Sequence, residues 1–71
     1  MVALRRIPQD EIERLATANQ RLLDVAGRLV SLSNEMSDAD MRSRLSREIH
    51  SILQVSDVIT RAVQAAIYVN A

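Results

Sequence analysis

The stretch from Met41 to Val69 constrains this chain most, because its apolar residues recur at helical spacing on more than one face. In heptads with Leu45 at position a, that row holds Leu45, Ile52, Ile59 and Ala66, and d holds Met41, Glu48, Val55, Ala62 and Val69. Ile49 and Val63 follow at e, Leu53 and Ile67 at b, and Val58 and Ala65 at g. A surface helix needs an apolar stripe of roughly 100°, and this one has about twice that toward its C-terminus. A single partner helix from the same short chain cannot cover it. The excess implies self-association or a protein partner. The residues expected at that interface are Leu45, Ile49, Ile52, Val55, Val58, Ile59, Ala62, Val63, Ala65, Ala66, Tyr68 and Val69.

A chain of 71 residues makes one small domain, in the range where a single core is marginal. Disulfides, a metal or oligomerisation are the usual reinforcements. The chain has no cysteine and one histidine, so disulfides and thiolate sites are excluded and His50 alone builds no metal site. Oligomerisation remains. With one aromatic residue, Tyr68, the core has to be Leu, Ile, Val, Ala and Met, a composition suited to close-packed helices.

Helix 1 is expected from about Pro8 to Ser33. Pro8 suits the first helical position, where its missing N–H costs nothing, and Asp10, Glu11 and Glu13 favour the positive end of the helix dipole. With Leu15 at a, Leu22 and Leu29 follow, and Ala18, Val25 and Leu32 fill d. Ala16, Leu23 and Val30 lie on one flank, Ile12, Asn19 and Ala26 on the other, and charged and polar residues opposite. Gly27 falls on the polar face and costs about 1 kcal/mol relative to alanine. The break is expected at residues 34–37, with Asn34 as a left-handed C-cap and Ser37 and Asp40 as a variant capping box. Helix 2 then spans about Asp38 to Asn70, and a loop this short makes the helices antiparallel neighbours. Residues 1–7 form an N-terminal arm, pushed toward extended conformations before the proline.

The net charge is zero, so no global field steers the chain toward nucleic acid or anionic lipid. All nine basic residues are arginine, which reflects either codon usage or a surface built for planar, bidentate contacts. Five of them, Arg14, Arg28, Arg42, Arg44 and Arg61, follow an aspartate by four residues, the favourable helical ion-pair spacing. Arg5, Arg6, Arg21 and Arg47 have no acid there. The segment Ile52–Val69 is apolar but interrupted by Asp57 and Arg61, so no membrane span is expected, and no apolar run of signal-peptide length opens the chain. A cytoplasmic location is the expectation.

Neither a nucleophile–base pair nor a Gly-rich phosphate loop is present, and no enzymatic activity or cofactor is expected. Glu48 at d and Asn19 on the helix 1 flank are candidates for fixing register, as polar groups in an apolar seam. His50 sits on a helix as phosphoacceptor histidines do in sensor-kinase dimerisation domains. Ser51 and Val55, however, stand where that family has an acid and a proline.

Two resemblances bear on function. The run Val2-Ala3-Leu4-Arg5-Arg6-Ile7-Pro8-Gln9-Asp10-Glu11-Ile12-Glu13-Arg14-Leu15-Ala16 resembles the opening of ribbon-helix-helix repressors, with a short strand, a proline and an acidic helix start. The resemblance implies a dimer whose paired strands enter the major groove, with Leu4 and Arg6, or Arg5 and Ile7, facing DNA. It covers about fifteen residues, and the family's short first helix departs from the periodicity that here continues to Leu32. The plan of two long helices and a short turn is similar to that of Rop-type dimeric four-helix bundles, which bind paired RNA loops. The expectation is therefore an all-α antiparallel hairpin that self-associates, as a dimeric four-helix bundle. It would act as a small regulatory or adaptor protein binding another protein, for instance as an inhibitor or antiactivator. The alternative is a nucleic-acid-binding regulator using Arg5, Arg6, Arg14, Arg21 and Arg28.

Overall fold

The computed structural model of the chain describes residues 6–71. Two helices, α1 (Gln9–Glu35) and α2 (Ala39–Asn70), pack against each other as an antiparallel hairpin. The hairpin is a rod of 58 × 21 × 12 Å. Its radius of gyration is 16.6 Å, against about 11 Å for a compact domain of this length.

The helix ends differ in detail from the sequence expectation. Pro8 is the N-cap, not the first helical residue, with extended ψ of 135°. Its carbonyl accepts from the Glu11 and Ile12 N–H groups at 3.1 and 3.3 Å. Asn34 is not a left-handed cap. The helix runs on through Glu35, Met36 is extended, and no described residue, Gly27 included, has a positive φ. Asp38, not Ser37, caps α2, its Oδ1 accepting from the N–H groups of Asp40 and Met41 at 2.8 and 3.1 Å. A carboxylate there satisfies orphan donors and also opposes the positive helix end, an advantage serine lacks. The connection shortens to residues 36–38, which holds the helices side by side.

Inside the hairpin the seam runs along the a and e rows of both helices. On α1 it comprises Ile12, Asn19, Leu22, Ala26, Leu29 and Ser33. On α2 it comprises Leu45, Ile49, Ile52, Ser56, Ile59, Val63 and Ala66. The d rows stay outside: Val25, Leu32, Met41, Val55 and Val69 are each more than two-fifths exposed. The reason lies in the polar members of each row. Burying d would bury the carboxylates of Glu11 and Glu48, a severe desolvation cost without a cation beside them. The e rows bring only neutral polar groups, Asn19 and Ser56, which satisfy each other, along with the small Ala26, which permits close approach.

The core is thin. The only buried apolar residues described are Ile12, Ala26 and Ala66, and no large side chain is fully enclosed.

Two surface substitutions check this local account. A Cβ at Gly27 meets nothing within 4 Å, so Gly27→Ala should raise stability by about 1 kcal/mol. Asp38→Ala should lower it by about 1 kcal/mol. Denaturant melts at one fixed protein concentration read both.

Candidate functional site

Helix geometry places the unburied apolar rows. In an antiparallel pair, rows that flank the seam on the same side in the two helices form one continuous face. The d rows share one side of the hairpin: Ala18, Val25 and Leu32 from α1, and Met41, Val55, Ala62 and Val69 from α2, joined by Val58 and Ala65 at g. The b rows share the other: Ala16, Leu23 and Val30 from α1, and Leu53 and Ile67 from α2. All of these residues are exposed. Val58 is 66% exposed, and Ile67 55%, fractions unusual for aliphatic residues that would line so continuous a surface.

The interface residues expected from the sequence divide between two tasks. Leu45, Ile49, Ile52, Ile59, Val63 and Ala66 are buried or half-buried in the intrachain seam. Val55, Val58, Ala62, Ala65, Tyr68 and Val69 remain exposed. Tyr68, 84% exposed, stands clear of the seam. Sequence reasoning placed the excess apolar surface on α2, but α1 contributes Leu23, Val25, Val30 and Leu32 to the same two faces. The signal was present in the width of the α1 stripe.

At mid-height the seam holds a polar cluster. Asn19 Nδ2 donates to Thr60 Oγ1 at 2.9 Å, and Ser56 Oγ donates to Asn19 Oδ1 at 2.6 Å. Thr60 Oγ1 in turn donates to the Ser56 carbonyl at 2.9 Å. Ser56 is 4% exposed, yet among the described residues no buried side-chain nitrogen or oxygen lacks a partner. The cluster fixes which turn of α1 lies beside which turn of α2. Asn19 was expected as such a device. Ser56 and Thr60 were missed, although their place on the seam side of α2 was the available signal. Glu48, the other candidate, is exposed on the d face.

A second pair of bonds closes the open end of the hairpin. The Asn70 side-chain amide spans the backbone of Ile7, accepting from its N–H at 2.9 Å and donating to its carbonyl at 2.7 Å. These bonds occupy both backbone groups of Ile7 that a ribbon of paired strands would use.

Of the arginines, Arg14, Arg44 and Arg61 pair with Asp10, Asp40 and Asp57 at 3.3, 3.4 and 3.1 Å. All three pairs are exposed, each worth about 0.2–0.5 kcal/mol. Two expected pairs are replaced. Asp24 accepts from Gln20 at 3.3 Å instead of pairing with Arg28, and Asp38 is used as the cap. Arg6, Arg21 and Arg28 are exposed, with no ion pair among the described residues, while Arg5 lies outside the described residues. The expected capture of DNA by residues 4 and 5 of the arm likewise falls outside them. His50 is exposed beside Ser46, Arg47 and Leu53 in a shallow open groove of a single helix. Among the described residues no three His, Asp or Glu side chains are grouped to hold a metal.

Helix α2 is long and apolar enough to cross a membrane by length and composition alone, with mean hydropathy 1.2 over its most apolar window. That window is 11% buried in the hairpin, which again marks how much apolar surface the two helices leave uncovered.

No protein-family model, curated protein or solved structure matches the chain.

A double-mutant cycle reads the central cluster. Asn19→Ala strands the buried Ser56 hydroxyl and should cost roughly 1–3 kcal/mol. In the Ser56→Ala background the same change should cost measurably less, and strict additivity would refute the coupling.

Proposed function

We propose that this chain is a small non-enzymatic regulatory or adaptor protein that works by protein–protein binding, and that it self-associates into a dimeric four-helix bundle. One observation carries the reading: two helices share one thin seam while both sides of the hairpin remain lined with aliphatic residues. The accessible surface, 5908 Å², exceeds the about 4,400 Å² of a typical folded monomer of this mass. Surface of that kind is covered by another protein chain in the cytoplasm, the location we propose, and a regulator of this size acts by occupying a partner's surface, as an inhibitor or antiactivator does.

A lipid bilayer is the less suitable cover. The Asp57–Arg61 pair lies within the apolar window of α2, and each such charge costs about 2.5–3.5 kcal/mol at the centre of a membrane. The outer face of α1 carries Glu13, Arg14, Gln20, Arg21, Asp24 and Arg28. It could not follow α2 into hydrocarbon, so insertion would tear the seam apart.

Light scattering tests the assembly: the expected mass is twice that of the chain, and the mass of one chain over the whole micromolar range would contradict it. Titration with duplex DNA and with paired RNA loops tests the mode of action. The expected result is no appreciable binding. Affinity falling steeply between 50 and 200 mM salt, by about 10³ or more for six phosphate contacts, would replace this reading with a nucleic-acid-binding one.

A further inference from the structure

The two apolar sides of the hairpin are not equivalent, and the difference assigns one of them. Resting on the self-association reading above, we infer that a second copy of this chain covers the d face, the side bearing Val25, Val55, Val58 and Ala62, and that the b face points outward in the assembly.

Area argues first. The accessible surface exceeds that of a typical monomer by about 1,500 Å². Obligate homodimers bury about 2,000–5,000 Å² in total, or 1,000–2,500 Å² from each chain. One side of a rod 58 Å long and 21 Å wide is of that order, and Val58 and Ala65 at g widen the apolar strip on the d side. The thinness of the core argues next. A hairpin whose buried apolar residues are one isoleucine and two alanines needs its cover whenever it is folded. Another copy of the same chain is always present at matching concentration.

Charge selects the side and the orientation. The d rows carry two carboxylates: Glu11 lies in the first turn of α1, at the open end where the face meets solvent, and Glu48 lies within the face. Arg28 rims the same face, and neither Arg28 nor Glu48 makes an ion pair among the described residues. The register set by Asn19 against Ser56 and Thr60 brings these two residues to the same height on opposite helices. A two-fold axis parallel to the helices stacks α1 of one copy on α2 of the other at equal height. Arg28 of each chain then meets Glu48 of the second copy. The b face holds no charged residue in its apolar rows and offers no such pairing.

The chain has no cysteine, so a single introduced thiol reports one position. Val58→Cys and Ile67→Cys, both at exposed positions, are alkylated with iodoacetamide as freshly reduced proteins, each rate divided by its rate in denaturant. Val58→Cys should be protected at least about tenfold more than Ile67→Cys. Equal protection, or the reverse order, overturns the assignment of the face. A parallel charge swap checks the orientation: Glu48→Arg should shift the monomer–dimer equilibrium toward monomer, and adding Arg28→Glu should restore it. A Glu48→Arg chain that dimerises as well as wild type, or a double variant no better than the single one, overturns the stacking. A wild-type chain that stays monomeric fails the underlying self-association reading instead, and light scattering on the unmodified protein separates that outcome from the others.

Discussion

Two helices have one line of contact, and each helix here is apolar well beyond that line. This mismatch governs the molecule. The hairpin satisfies the backbone of both helices and caps their ends, but among the described residues it encloses only Ile12, Ala26, Ala66 and the hydroxyl of Ser56. Folding has to offset the conformational entropy of ordering about 1–2 kcal/mol per residue of backbone. With so few side chains withdrawn from water, the seam alone is a poor source of that free energy. The remaining aliphatic rows are where a further stabilising contribution is to be found, and they face outward.

Which rows turn inward is decided by polar groups. The d rows are as apolar as the e rows in most turns, yet each carries a glutamate, and the e rows carry Asn19 and Ser56. Neutral groups that bond to one another tolerate burial, whereas a carboxylate does not without a cation. The Asn19–Ser56–Thr60 cluster thus sets both the rotation of each helix and the register between them. Asn70 repeats the logic at the open end, where one side-chain amide satisfies both backbone groups of Ile7. The same choice leaves Glu48 and the Arg21–Arg28 edge on the outer d face, so that it carries both signs of charge.

Much of the fold was legible from the spacing of apolar residues: two helices, a break in the mid-thirties and an antiparallel hairpin. Helix termini moved by one or two residues because capping is a contest between neighbours, and Asp38 outcompetes Ser37 through its charge. The rotation of the helices was not legible from hydrophobicity, since a heptad reading with a and d inside fits the aliphatic residues as well as the observed a and e seam. The polar members of the rows break that tie: the carboxylates of Glu11 and Glu48 keep d outside, and Asn19 meets Ser56 and Thr60, residues far apart in the chain, inside. The candidate interface divided for the same reason. Its a and e members are consumed by α1, and Val55, Val58, Ala62, Ala65, Tyr68 and Val69 remain available.

In the assembly we propose, folding of this hairpin is completed by covering its apolar side with another chain, so that stability and association are one equilibrium. Thermal unfolding followed by circular dichroism over a hundredfold range of chain concentration tests it most directly. Coupled folding and association predicts a midpoint that rises by several degrees across that range, from a shift of about 2.7 kcal/mol in apparent stability. A midpoint independent of concentration, with a single-chain mass throughout, would mean that the hairpin stands alone and that no second chain completes its folding.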